Sequence, residues 1–199
     1  MPEGDPLRFH PHCYYRPDAD SPTEIWPALI AAVTDLGGRI TGAHRTWLDR
    51  SGHDKAPVSS PRRAMGHLLG HGVRFGVAND VMTAGEGIET MLSLRSTLPT
   101  LPMVAALSAN HLAALLFPPT LRRLYIARDA DPAGDIAMAS LADRAQAAGI
   151  EALALSPRFD DFNVDLCCMD IDDLRASLCL QLAPEDVFRF MPGATIATA

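Results

Sequence analysis

Apolar and polar positions change their rhythm once along the chain, near Val77. Residues 1–27 are rich in Pro, Asp and His with little periodicity, and read as an irregular opening segment. An apolar run over residues 28–36 meets a turn-forming stretch, Asp35-Leu36-Gly37-Gly38-Arg39-Ile40, and a strand is expected over residues 40–48. A polar turn follows at residues 49–54, and residues 64–69 suit a short helix or loop. Residues 28–76 therefore predict a small, mainly β subdomain.

From residue 77 onward, short apolar strand candidates alternate with helical periods. Strands are expected at residues 77–84, 103–107, 124–127 and 152–155, and helices at 88–97, 110–117 and 132–148. The last helix has Pro132 at its start and Gly149 just past its end, the favoured punctuation. This alternation predicts an α/β fold over residues 77–168, a four-stranded, mainly parallel sheet flanked by helices. A further helix is expected at 170–180, within a C-terminal helix and tail over residues 169–199.

Composition narrows the class. With 48% hydrophobic and 21% charged residues, the 199-residue chain can bury a core, which argues against a disordered tail or fibrous repeat. No apolar run reaches the roughly 20 residues that span a bilayer, and the opening residues lack a signal peptide's basic-then-apolar pattern. Cys13, Cys167, Cys168 and Cys179 show no CxxC spacing. Neither a disulfide framework nor a zinc ribbon is expected, and the expected setting is a reducing cytoplasm with no membrane partner. The net charge of −7 divides into +1 over residues 1–76 and −8 over residues 77–199. Arg39, Arg45, Arg50, Lys55, Arg62, Arg63 and Arg74 crowd one stretch, against only Asp49 and Asp54. A basic segment before an acidic one suits a polyanion on one part and a metal on the other, and equally suits two solvated surfaces.

The acids discriminate better. Ligands of a parallel sheet sit beyond the carboxyl ends of its strands, and three acidic groups fall there. Glu86 follows the first strand between Gly85 and Gly87, Asp129 and Asp131 follow the third, and Asp160, Asp161 and Asp165 follow the fourth. Residues two apart in extended backbone share a face, which points Asp129 and Asp131 the same way. Gly134 permits a sharp turn into the next helix, with Asp135 in its first turn. Converging carboxylates repel, and their natural neutraliser is Mg²⁺ or Mn²⁺, which accepts hard oxygen ligands and leaves room for water and phosphate. The plainer use of these acids, Asp135 above all, is to cap helices and solvate a sheet edge. An EF-hand fails because Ala133 and Ser140 occupy ligand positions. A phosphatase-type Asp-x-Asp usually has Thr or Val where Ala133 stands, and a P-loop is absent because the single lysine, Lys55, has no Gly-Lys-Ser/Thr context.

In this order the motifs resemble the Toprim domain, the metal-binding module shared by bacterial-type DNA primases, type IA and type II topoisomerases and several nucleases. Glu86 in AGEGIETMLSL, Asp129 and Asp131 in ARDADPAGDIAMASLADRA, and Asp161 in FDDFNVDL carry the resemblance, over about residues 77–168. It resembles above all the primase-like Toprim proteins of plasmids, phages and integrated elements. Their third motif resembles Lys-Asp-Phe-Asn-Asp, from which this chain departs at Asp160 and Val164. The stretch beginning ITGAHRTW also resembles the subdomain that precedes Toprim in primase cores. There a Gly-x-x-Arg strand and a downstream Lys face nucleic acid and nucleotide, and Arg45 and Lys55 occupy the matching places.

The resemblance implies that Glu86, Asp129, Asp131 and Asp161 hold Mg²⁺ or Mn²⁺, the first three forming the catalytic set. It implies that Arg45 and Lys55 face single-stranded DNA template and nucleoside triphosphates; the charge of their stretch makes Arg62, Arg63 and Arg74 candidates for the same role. The implied activity is primer synthesis by nucleotidyl transfer on a DNA template, with a helicase or a zinc-binding template-recognition protein as implied partner. A Toprim nuclease and a non-catalytic DNA-binding accessory module of a mobile element stay open as alternatives. A topoisomerase is disfavoured, because Tyr125 falls in a core strand and Tyr14 and Tyr15 in the opening segment. His44, His53, His67 and His71 lack metal-ligand spacing, and His10-Pro11-His12-Cys13 lacks a second half, so no zinc is expected. With no zinc ribbon before the core and no helicase domain after it, the chain suits a minimal catalytic core, a truncation, or a subunit borrowing template recognition.

Overall fold

Asp35 organises a tight turn of the amino-terminal half. Its carbonyl accepts the Gly38 N–H (3.1 Å), its carboxylate accepts the Arg39 N–H (2.9 Å), and Gly38 takes φ +81°, which an L side chain resists. In the computed structural model, which describes residues 5–193, this turn joins β2 (Glu24–Thr34) to β3 (Ile40–Trp47). The chain divides into two compact units, Met1–Val73 and Arg74–Ala199.

In the first unit β1 (Leu7–Tyr15) pairs with β2, and β4 (Arg62–Gly66) with β3, giving an antiparallel sheet in the order β1-β2-β3-β4. The expectation of an irregular segment over residues 1–27 is therefore corrected. β1 hides its period because Pro11 interrupts it and its register shifts between His10 and Cys13. β4 likewise replaces part of the helix or loop expected at 64–69. It lies so close to β3 that neither Gly42 nor Gly66 has room for a Cβ, and Gly66 sits at φ +96°. On one face Tyr15 and Trp47 meet edge-on at 5.0 Å and pack with Cys13, Ala28 and Ala56.

The second unit is built on β5 (Val73–Phe75), β6 (Val81–Gly85), β7 (Met103–Ala105), β8 (Arg123–Ala127) and β9 (Glu151–Leu155). Their order in the sheet is β5-β7-β6-β8-β9, with β6 parallel to β7 and β8, and β8 parallel to β9. These four parallel strands are the expected sheet; β5 adds a fifth, too short to show a period. Helices α1 (Ile88–Thr97), α2 (Ala109–Ala113), α3 (Pro132–Ala147) and α5 (Ile171–Cys179) lie where helical patterning put them. Two short helices, α4 (Phe162–Cys168) and α6 (Pro184–Phe190), go beyond that pattern, so the C-terminal stretch is more ordered than one helix and a tail. The tail's residues 194–199 lie outside the described residues.

Met82, Ala84, Val104, Leu124 and Ile126 form one side of the sheet core against Leu112 of α2 and Ala137, Leu141 and Ala145 of α3. By alternation Thr83 and Tyr125 face the other way. The Tyr125 hydroxyl donates to Asp186 (2.7 Å) and accepts the Ala183 N–H (2.9 Å), while Arg123 reaches Glu151, Glu185 and Asp186. This network pins the start of α6. Burial and the Asp186 carboxylate push the Tyr125 phenol far up, so it serves as a structural hydroxyl. Among the described residues no helix is long and apolar enough to cross a membrane.

Candidate metal centre

Because β6, β8 and β9 run parallel, their carboxyl ends share one edge. Glu86 comes directly after β6, Asp129 and Asp131 after β8, and Asp160 and Asp161 after β9. Pairing continues past the last two strands. The Arg128 N–H donates to the Leu155 carbonyl (3.1 Å) and the Ala130 N–H to the Asp160 carbonyl (2.8 Å), stitching the acidic loops together. Beside them the Leu107 N–H donates to the Glu86 carbonyl (2.8 Å), with Leu107 held at φ +78°. A branched side chain there stores strain that the surrounding packing must hold, and it holds it next to Glu86.

Helix caps orient two of the acids. Asp131 Oδ1 accepts the Gly134 N–H (2.7 Å) at the start of α3, and Asp161 Oδ1 accepts the Val164 N–H (2.8 Å) at the start of α4. Capping and clustering are thus compatible: a carboxylate that gives one oxygen to a helix is aimed by it and keeps the other. Asp135, singled out as a cap from the sequence, instead pairs with Arg128 at 3.4 Å. A Cβ on Gly134 would lie 2.6 Å from the Asp129 carbonyl oxygen, so glycine alone lets α3 begin against that loop. Asp165 is buried and accepts the Arg158 and Phe159 N–H groups (2.8 and 2.9 Å), which shapes the loop presenting Asp160 and Asp161.

The electrostatics show which carboxylates oppose one another's charge. Glu86 is raised above the usual carboxylate range by burial first, then by Asp129 and Asp131, with the Ala109 N–H opposing. Asp129 is raised by burial first, then by Asp161, Asp131 and Glu89, with the Thr90 hydroxyl opposing. Glu86, Asp129, Asp131 and Asp161 thus form one acidic group centred on Asp129. Glu89 and Thr90, both on the first turn of α1, join it without having been singled out from the sequence; the second glutamate of GEGIET was the available signal.

Asp129 Oδ1 is buried and has no hydrogen-bond partner. A buried polar atom left unmet costs about 1–3 kcal/mol, more when charged. Carboxylates that oppose one another's charge beside an unmet carboxylate oxygen would suit a hard divalent cation, and the all-oxygen donor set fits Mg²⁺. Among the described residues no group of three or more His, Cys, Asp or Glu side chains is placed to hold a metal ion by itself. That is compatible with Mg²⁺, which commonly keeps several waters and takes only one or two carboxylates together with substrate phosphates.

The candidate cations separate. Arg45 and Arg63 face each other across β3 and β4. The Arg45 guanidinium lies over the Trp47 ring (4.9 Å), and Arg63 lies over Tyr15 (4.8 Å). Arg63 also donates to the carbonyls of Arg16 (2.6 Å) and Pro17 (3.0 Å), which makes it a brace for the end of β1. Lys55 is exposed on the strand-like bridge to Leu48, and Arg62 is exposed at the start of β4. Arg74 lies on β5 and belongs to the second unit.

Residues 81–177 match the Toprim domain family, and residues 1–75 match a domain of unknown function, DUF7146. Solved structures with a similar fold include the primase fragment of the bacteriophage T7 primase-helicase protein, at 14% identity and TM-score 0.54, covering 78% of this chain and 63% of that one. A DNA primase domain from Pseudomonas aeruginosa matches at 15% identity and TM-score 0.56, covering 89% and 59%. The DnaG primase catalytic domain bound to ssDNA matches at 16% identity and TM-score 0.51, covering 86% and 57%. The chain thus spans 57–63% of the length of these three structures. No curated protein matches it. Residues 81–177 thus carry a Toprim domain, and the fold of the chain resembles solved catalytic fragments of bacterial and phage DNA primases.

Proposed function

We propose that the protein is a primase-like nucleotidyltransferase that extends a primer on a single-stranded DNA template with nucleoside triphosphates. The observation that carries this is the unmet buried oxygen of Asp129 amid Glu86, Asp131 and Asp161 at the carboxyl edge of the Toprim sheet. Glu86, Asp129 and Asp131 would hold Mg²⁺, with Asp161 beside them. When bound, the ion supplies neutralisation of phosphate charge and lowers the cost of deprotonating an attacking hydroxyl. Asp131 and Asp161, each aimed by a helix cap, contribute preorganisation. Glu86, raised above the usual carboxylate range by burial and by Asp129 and Asp131, would be the acid to take a proton from a primer hydroxyl. Arg45, Lys55 and Arg62 would draw in the polyanionic template through the first unit, and Arg74 from the second. The setting would be cytoplasmic, with a helicase or a zinc-binding template-recognition protein as partner.

The test is primer synthesis on single-stranded DNA with Mg²⁺ or Mn²⁺. Glu86→Ala and Asp129→Ala should each abolish it, and full activity in either variant overturns the reading. Cleavage of the template that proceeds without nucleotides would instead identify a Toprim nuclease using the same acids. Binding without turnover, insensitive to chelation, would identify an accessory module.

A further inference from the structure

We propose that the acidic edge of the second unit is built to take Mg²⁺ in preference to Ca²⁺, with Thr90 as the side chain that sets the choice. The inference rests on the metal half of the function proposed above and goes past it, to which cation the carboxylates accept.

Every carboxylate of the group gives an oxygen to a donor fixed by the fold. Asp131 Oδ1 accepts the Gly134 N–H (2.7 Å), and Asp161 Oδ1 accepts the Val164 N–H (2.8 Å). Glu86 accepts the N–H of Ala109, the first residue of α2. Asp129 accepts the Thr90 hydroxyl, and because its Oδ1 has no partner, that bond falls on Oδ2. The amide donors belong to the backbone of helix first turns and stay whatever side chain the residue carries. Thr90 alone donates from a side chain, so it alone is open to substitution.

Local packing holds the Thr90 hydroxyl where it is needed. Thr90 is 3% exposed and lies in the first turn of α1. A Cβ on Gly87 would stand 3.2 Å from Thr90 Oγ1, so glycine leaves the hydroxyl its room. A Cβ on Gly85 would meet Met91 Cε and the Ala127 carbonyl oxygen (2.5 and 3.2 Å), so this second glycine lets α1 lie against the end of β8. Gly85, Gly87 and Thr90 thus act together to bring a hydroxyl to Asp129.

A carboxylate with one oxygen committed offers a cation the other. That suits Mg²⁺, which takes single oxygens in near-octahedral order and keeps several waters. Ca²⁺ takes more oxygens and draws on bidentate carboxylates, which here would pull an oxygen away from its donor. Each such change gives up a hydrogen bond to a charged acceptor, the stronger kind. Removing the Thr90 hydroxyl frees Asp129 Oδ2 beside the unmet Oδ1, and so makes bidentate capture easiest at the centre of the group.

The experiment follows thermal unfolding of the full chain by circular dichroism, titrating MgCl₂ and CaCl₂ separately into chelator-free buffer after EDTA treatment. Fitting the Tm gain against concentration gives an apparent affinity for each ion, and their ratio is the readout. Wild type should respond to Mg²⁺ at no higher concentration than to Ca²⁺. Thr90→Val keeps the shape without the hydroxyl and should shift the ratio about tenfold toward Ca²⁺. Thr90→Ser restores the hydroxyl and should keep the wild-type ratio. Gly87→Ala crowds the hydroxyl and should move the ratio in the same direction as Thr90→Val. A general loss of packing would weaken both ions alike and leave the ratio where it was. An unchanged ratio in folded Thr90→Val, a Thr90→Ser variant that behaves like Thr90→Val, or a wild type that responds to Ca²⁺ at lower concentration overturns the selectivity. Primer synthesis is assayed in parallel. Selectivity without synthesis refutes the proposed activity alone, and synthesis by a chain whose ratio ignores Thr90 refutes the selectivity alone.

Discussion

Replacing Asp129 with Asn separates the metal-centre reading from a purely structural one, because the two demand opposite signs. In the absence of metal, Asp129 is a half-buried carboxylate with Oδ1 unmet and with Asp161, Asp131 and Glu89 all opposing its charge. Asn keeps the shape and removes the charge. The relief is about 1 kcal/mol, the low end for an unmet group because partial exposure lets water screen it. For a chain of this size that raises Tm by about 2–4 °C in EDTA. With Mg²⁺ the order reverses. A ligand at 100 times its Kd stabilises by about 2.7 kcal/mol, so wild type should gain about 5–10 °C on titration. The variant, lacking the anionic oxygen, should gain little. Thermal unfolding followed by circular dichroism, with EDTA and then with excess Mg²⁺, reads both quantities from one sample. A lower Tm for Asp129→Asn in EDTA would mean that the carboxylate is a structural partner. A full Mg²⁺ response in the variant would place the ion elsewhere.

The same cluster dictates a pH dependence. Glu86 and Asp129 have raised carboxyl pKa values in the folded state, so the folded chain binds more protons than the unfolded one, and these groups' contribution to stability falls as pH rises from the ordinary carboxylate range through the raised values. Metal binding must displace those protons; the Mg²⁺-induced Tm gain should therefore grow over the same window, and a pH-independent gain would refute the coupling. Gly134→Ala forces a Cβ against the Asp129 backbone and should cost about 1–3 kcal/mol in denaturant melts while weakening the Mg²⁺ response. Asp186→Ala leaves Arg123 and the Tyr125 hydroxyl without their shared partner and should cost about 3 kcal/mol, with the Mg²⁺-induced Tm gain preserved. Loss of that gain would show that the network supports the site as well as α6.

The second unit was legible because its central strands are continuous apolar runs and α1, α3 and α5 are long enough to show a period, while the five-residue α2 is shorter than the helix expected over residues 110–117. β6 and β8 are almost wholly buried, the condition under which hydrophobicity alone marks a strand. The first unit was less legible at its edges. β1 is exposed over most of its length, so its residues carry no burial pattern, and the bulge at His10 and Cys13 inverts what alternation remains. α4 and α6 are seven residues each, below the length at which a helical period can be counted.

The placement of the acids in the candidate site was legible for a different reason: chain order and topology together bring acids at strand ends to one edge, without any knowledge of side-chain packing. What that argument could not do was rank residues of like charge. Arg45 and Arg63 are indistinguishable in a count of basic residues, yet one is consumed by backbone carbonyls and the other keeps donors unmet against an aromatic ring. Among the acids, Asp131 and Asp161 each give one oxygen to a helix, Asp165 gives both to its own loop, and Asp129 leaves one oxygen with no partner at all. Charge points to the two surfaces, and unmet hydrogen-bonding capacity ranks the residues on each that a ligand would engage. That is why Asp129 and Arg45, rather than the more numerous charges around them, are the positions at which substitution should move binding most.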